Sequence, residues 1–263
     1  MKKLAHILFF LTTVLGFGQS LKLVPLRIDS IVISADQFIG VDGFKNYYYI
    51  KNDVLFKKNT NTIFQYQALS LGAITKADIL NPLKIIVFYE TFNTAVILDN
   101  QLNEVQRIDF SKLDNSIVVS ALGIAGQNKL WIFNSLKQQL GLYDLVTTQY
   151  QEIGNPIGEG FSYYQTDYNY FQWISKNKQW NTCNFYGKIF SFTIDSTFTD
   201  FQIIAENKII FLKDNALLVR DYVNDKQYQI EIVEKSLRNF FYKDQILSIF
   251  TNEGITNYKL TIP

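Results

Sequence analysis

Three carboxylates carry what suggestion of bond-breaking chemistry the chain offers. Asp42 and Asp78 are expected on the innermost strands of the first two of its repeated units, and Glu159 begins another. Two carboxyls facing one funnel, one shielded and one solvated, hydrolyse glycosides when they stand about 5–9.5 Å apart. The competing role for an isolated Asp at a strand end is to hold a turn by accepting backbone N–H bonds. Other chemistries are excluded by composition. The one histidine is His6 and the one cysteine Cys183. Once a leader is removed, no Ser-His-Asp set, imidazole metal site or internal disulfide can form. Asp36 and Asp42 flank a Gly-containing stretch but lack calcium-loop spacing. The run Gly154-Asn155-Pro156-Ile157-Gly158-Glu159-Gly160 lacks the order of a phosphate loop and reads as a long connection. No cofactor or metal is expected.

Binding is better represented. Residues 161–192 hold the densest aromatic content, suited either to stacking against sugars or extended peptide or to filling a core. Trp180, just past the polar run Lys176-Asn177-Lys178-Gln179, is the one expected to escape the core. Phe92 and Asn93 lie in a polar turn, where an exposed aromatic would anchor a protein partner. Cys183 is expected to be buried in a strand as a small hydrophobe.

The chain's address and charge narrow the partner. Lys2 and Lys3, the apolar run Leu4 to Leu15 and the small residues of Gly16-Phe17-Gly18 form a secretory leader cleaved after Gly18. The expected organisation is a leader over residues 1–18 and one domain over 19–263. The formal charge of +1 becomes −1 without Lys2 and Lys3, which argues against nucleic acid and anionic membrane surfaces. No later segment is apolar and long enough to be a spanning helix. A periplasmic location is expected, with secretion as the alternative.

Short apolar bursts organise the rest. They begin at Asn46, Lys84, Lys129, Asn169, Lys208 and Gln245, separated by 38, 45, 40, 39 and 37 residues. Each is continuously apolar and rich in β-branched and aromatic residues, the pattern of a strand covered on both faces. A polar turn follows, then a second strand such as Ala95-Val96-Ile97-Leu98. A strictly alternating segment such as Gln227-Tyr228-Gln229-Ile230-Glu231-Ile232 comes last, with one wet face. Passing from buried to half-exposed six times describes radial blades, with the most apolar strand nearest the hub. The expected fold is all-β, a β-propeller of six four-stranded blades. The last unit is one strand short, and Leu26 to Ile33 is spare, so the N-terminal strand is expected to close the final blade. Leu237, Phe240 and Phe241 have helix-like spacing and allow one short helix.

The segment Gly126-Gln127-Asn128-Lys129-Leu130-Trp131-Ile132-Phe133 resembles the turn and inner strand of β-propeller repeat proteins, and the period extends that resemblance over residues 26–263. It carries no Trp-Asp or quinoprotein signature. The resemblance implies a rigid ring with two loop faces suited to macromolecular partners, and the chain is expected to work by binding and not by chemistry. The expected function is a protein-interaction scaffold or accessory subunit of cell-envelope machinery for outer-membrane assembly or secretion, akin to the propeller subunit of the outer-membrane β-barrel assembly machine. Its expected partner is an envelope protein. The alternative is a carbohydrate-binding or glycoside-active propeller using Asp42, Asp78 and Glu159, with a glycan as ligand.

Overall fold

A computed structural model describes residues 21–113, 116–158, 160–194, 198–234 and 236–263. The expected leader and Glu159 lie outside the described residues. Six antiparallel sheets follow one another along the chain. Two N-terminal strands, β1 (Leu21–Leu23) and β2 (Leu26–Ile31), precede them. Blade one comprises β3 (Gln37–Val41), β4 (Tyr47–Lys51), β5 (Val54–Lys58) and β6 (Ile63–Tyr66). Blade two comprises β7 (Lys76–Asp78), β8 (Ile85–Tyr89), β9 (Thr94–Leu98) and β10 (Glu104–Asp109). Blade three holds β11 (Val119–Ile124), β12 (Lys129–Asn134), β13 (Gln139–Asp144) and β14 (Tyr150–Glu152). Blade four holds β15 (Phe161–Thr166), β16 (Tyr170–Ser175), β17 (Gln179–Asn184) and β18 (Ile189–Thr193). Blade five runs through β19 (Asp200–Ala205), β20 (Lys208–Lys213), β21 (Ala216–Asp221) and β22 (Lys226–Ile230). Blade six runs through β23 (Asn239–Lys243), β24 (Ile246–Thr251) and β25 (Gly254–Lys259). The molecule is a six-bladed β-propeller.

The apolar bursts are the second strands, β4, β8, β12, β16, β20 and β24. They do not line the hub: that place belongs to the first strand of each blade. A second strand has a strand on either side and a blade against either face, so every residue of β8 is buried. A first strand borders the central channel and keeps a mixed sequence. Four of the six first strands also carry a bulge against the second, as between Phe38 and Gly40 in β3, which breaks their alternation. The helix allowed around Leu237 does not form. Phe240 and Phe241 belong to β23, where opposite faces of one strand send Phe240 into the wedge against blade five and Phe241 toward blade one.

Six apolar clusters hold the ring, each filling one blade interface. Tyr48, Leu55, Ile85 and Val96 join blades one and two, while Phe250 and Ile255 meet Phe38 and Tyr49 where blade six returns to blade one. The N-terminal segment secures this closure twice. β2 pairs antiparallel with β25 from Leu26↔Lys259 to Ile31↔Ile255 and supplies the missing outer strand of blade six. β1 pairs parallel with β22, Leu21↔Tyr228 to Leu23↔Ile230, adding a fifth strand to blade five. One continuous segment therefore spans the last two blades. Gly254 makes room for it: a Cβ there would stand 2.3 Å from the Ile31 carbonyl oxygen, at φ +135.

Candidate functional site

The hub is a channel of about 430 Å³ lined by first-strand residues of five blades, among them Phe38, Lys76, Asp78, Tyr164, Asp200 and Phe241. First strands of adjacent blades lie too far apart to form a shared ladder, so their polar edges need other partners. Side chains supply them. Gln165 donates from Nε2 to the Ile203 carbonyl at 2.9 Å and accepts the Ile203 N–H at 3.0 Å. Gln202 repeats the bracket one blade on, at 2.7 Å to the carbonyl and from the N–H of Tyr242. Asn239 donates to the Phe38 carbonyl at 2.8 Å, and the Tyr164 hydroxyl lies 3.2 Å from both the N–H and the carbonyl of Leu122. These amides staple one blade to the next around the axis. Their sequence signal is an aromatic-Gln pair, Tyr164-Gln165 and Phe201-Gln202, recurring after one period.

Two of the expected acids, Asp42 and Asp78, are engaged in hydrogen bonds of the frame, and Glu159 lies outside the described residues. Asp42 is buried, and its carboxylate holds a turn: Oδ1 accepts the N–H groups of Phe44 and Asn46 at 2.9 Å each, while Oδ2 accepts the Asn46 amide at 2.8 Å and the Tyr48 hydroxyl at 3.0 Å. Burial and that carboxylate together drive the Tyr48 phenol far above its ordinary range. Asp78 accepts the Leu80 N–H at 2.9 Å within its own blade and the Ile124 N–H at 2.7 Å from blade three. Both are structural acceptors. Lys76, one turn of strand away, has no carboxylate within ion-pair distance among the described residues. Its ammonium lies over the Tyr164 ring, 3.5 Å from the centroid, and donates to the Tyr164 carbonyl at 3.3 Å. Desolvation in the channel pushes its pKa down to about 8 against an opposing pull from Asp78. Burial raises Asp200 on the same wall. Among the described residues no three His, Cys, Asp or Glu side chains gather as metal ligands.

Trp180 is fully buried, contrary to its expected escape from the core. The turn before it is tight, so Trp180 is already the second residue of β17 and faces blade five, its indole N–H donating to Gln172 at 3.1 Å. Most other aromatics of 161–192 fill the wedges on either side of blade four. Asn93 is a joint between blades two and three: its amide donates to the Ile117 carbonyl at 2.6 Å and its oxygen accepts the Val119 N–H at 2.9 Å. Phe92 stays 48% exposed, with one edge toward Gly72. Cys183 is buried, which pushes its thiol up to about 11.

The surface feature with the clearest order is a set of turns. In a meander the hairpins between first and second strands and between third and fourth leave a sheet at the same end. At that end Asp42, Asn81, Asp144, Asn184 and Asp221 each accept the N–H of the residue two positions on, at 2.9–3.1 Å. The residue so presented by these five is apolar and exposed: Phe44 (72%), Leu83 (67%), Val146 (75%), Tyr186 (92%) and Val223 (69%), whereas the same bond to Asn59, Asp99 and Asp167 presents the polar Asn61, Gln101 and Asn169. Tyr168 (41%), inside the turn capped by Asp167, joins them. Neighbouring hairpins are tied together, as by Lys84 to Asn128 at 2.9 Å and the Gly126 N–H to the Tyr168 carbonyl at 2.8 Å. This face therefore carries apolar side chains on blades one to five, each on a turn pinned by its own Asx side chain. The opposite face exposes Leu69, Phe92, Leu136 and Val233, chiefly without that pinning. A groove of about 440 Å³ also opens between blades four and five, with Tyr170, Phe190 and Phe192 around Gln172 and Thr182.

No family model matches the chain, and no curated protein sequence matches it. Solved structures do. BBS1N in complex with ARL6DN aligns at a TM-score of 0.60 and 10% identity, over 91% of this chain and 97% of that one. Virginiamycin B lyase from Staphylococcus aureus gives 0.55 and 12%, over 85% and 79%. BamB from Moraxella catarrhalis gives 0.52 and 10%, over 90% and 100%. At such identities the likeness shows the propeller fold. No helix among the described residues is long and apolar enough to cross a membrane.

Proposed function

We propose that this chain is an exported, non-enzymatic propeller that serves as a protein-interaction scaffold in the cell envelope, in outer-membrane assembly or secretion. The observation that carries the reading is the face of pinned, exposed apolar side chains. Such residues lose little conformational freedom on binding, and apolar groups within a polar rim are the usual source of interface energy. The engagement of Asp42 and Asp78 in turns and blade contacts supports binding over acid-base catalysis. The leader over residues 1–18 supports export, with the periplasm as destination, and residues 19–263 as the mature domain. A propeller of similar fold, BBS1N, is known in complex with ARL6DN, which supports a propeller of this kind as a protein-binding ring. Phe92 is a further anchor on the opposite face.

The test is cross-linking of a tagged copy in its native envelope, followed by identification of captured proteins. Discrete envelope partners are expected. Recovery of free protein alone, with saturable binding of a glycan, overturns the scaffold in favour of a carbohydrate-binding propeller. The observation favouring that second reading is the aromatic groove between blades four and five, whose amide and hydroxyl floor matches sugar hydroxyls.

A further inference from the structure

We propose that the rim of blade four is a self-pairing edge, with β18 of one copy adding antiparallel to β18 of a second copy about a two-fold axis at Ser191. An outermost strand has a row of N–H and C=O groups turned away from its sheet, and such a row accepts another extended strand. Among the described residues no strand pairs with the outer edge of β18. All five of its residues are exposed in part, Ile189 to 40%, Phe190 to 44% and Phe192 to 37%, and although Phe190 and Phe192 also line the groove toward blade five, a second copy can reach the strand's outer edge.

The other rims are guarded. β22 is covered by β1, which is three residues long and carries Lys22, paired with Glu231 at 2.6 Å. β10 carries Glu104, Arg107 and Asp109, the first two paired at 2.7 Å. β14 is three residues long, and its Glu152 is held by Lys137 at 2.6 Å. β2 carries Arg27 and Asp29. β6 folds Phe64 and Tyr66 against blade two, where the Tyr66 hydroxyl donates to Glu104 at 2.9 Å. Among the described residues, β18 alone of these rim strands combines exposure of every residue with an uncharged sequence, Ile189-Phe190-Ser191-Phe192-Thr193.

That sequence points to a second copy as the occupant. Its centre, Phe190-Ser191-Phe192, is symmetric about Ser191, and two-fold pairing sets Ser191 opposite Ser191, Phe190 opposite Phe192 and Ile189 opposite Thr193. Aromatic and β-branched residues face one another across the new ladder, the pairs that favour sheet addition. Charge agrees. No paired position brings like charges together, and the nearest cation, Lys188, lies outside the paired segment with its ammonium 4.8 Å from its own Phe190 ring. An interface of one short strand is smaller than the roughly 1,200 Å² of stable complexes, so the dimer is concentration-dependent. This pairing uses the rim and leaves both loop faces open, so it stands or falls separately from the scaffold reading.

Register gives the test. Residues opposite one another in an antiparallel pair lie about 4.5–5.5 Å apart at Cα, within disulfide range. Under mild oxidation Ser191→Cys is expected to form covalent dimers. Ile189→Cys and Thr193→Cys should each remain monomeric alone and cross-link when mixed. Buried Cys183 gives no background in the unsubstituted protein. In sedimentation, the unsubstituted protein should dimerise as concentration rises, Ser191→Lys and Ser191→Glu should each be monomeric, and their mixture should recover the dimer. Ser191 donates to Asn181 at 2.6 Å, so the melting temperature of each variant is measured alongside. Monomer at every concentration, cross-linking of Ile189→Cys alone as fast as Ser191→Cys, or capture of Ser191→Cys by a different polypeptide overturns self-pairing.

Discussion

Asp42 shows how much of this protein's polar chemistry is architectural. Its carboxylate accepts four hydrogen bonds, two of them from buried side-chain groups of Asn46 and Tyr48. Removing it strands those donors, so Asp42→Ala is expected to lower stability by about 2–4 kcal/mol, read from the urea midpoint, without altering any glycan binding. Asp221 does the same work in blade five, with added charge. Burial opposes its ionisation, but the N–H and amide of Asn224 and the ammonium of Lys208 at 3.3 Å outweigh it, and the pKa falls to about 2. A carboxylate depressed in the folded state stabilises fully above its unfolded pKa near 3.8 and loses that contribution as pH falls toward 2. Asp221→Asn should therefore cost about 2 kcal/mol at pH 6. The gap between variant and parent, followed by denaturant unfolding, should close between pH 4 and pH 2.

Strands and turns were unequally legible in the sequence. Turn chemistry was plain, because Asn52-Asp53 and Asp214-Asn215 fill hairpins that need positive φ at both positions, and both adopt it. The bursts announced strands, and the spare segment at Leu26 announced closure. Burst composition does not reveal distance from the axis, since apolar content reports how many layers cover a strand. Gln165 and Gln202 look like solvent-facing residues until their partners, 38 and 40 residues on, are brought beside them. The fifth strand of blade five had no signal, because Leu21-Lys22-Leu23 is too short to show a period. Its place beside β2 makes the N-terminus a clasp. Deleting residues 21–34 is expected to abolish cooperative thermal unfolding; a truncated chain that melts like the parent refutes the clasp. Gly254→Ala, which drives a Cβ into the Ile31 carbonyl at an unfavourable φ, should destabilise by about 2–3 kcal/mol in the same assay.

At the scale of the whole molecule, six wedges of apolar side chains make a frame that the exposed turn residues do not enter. The triple variant Phe44→Ser, Tyr186→Ser, Val223→Ser removes three exposed side chains and leaves every wedge intact. Its stability should stay within about 1 kcal/mol of the parent, while partner capture in the envelope falls at least several-fold. Equal capture by variant and parent would move the docking site elsewhere. The location of such a site was only partly legible: each Asx-x-apolar turn can be read locally, but that five of them meet at one end follows from the meander and the ring.

The pairing of Leu26 with Lys259 sets a timetable. Leu26 and its neighbours find their place only after Lys259, more than two hundred residues later, has been made. Until then blades five and six have no cover for their outer ribbons, and the circle stays open. A chain built this way resists early completion.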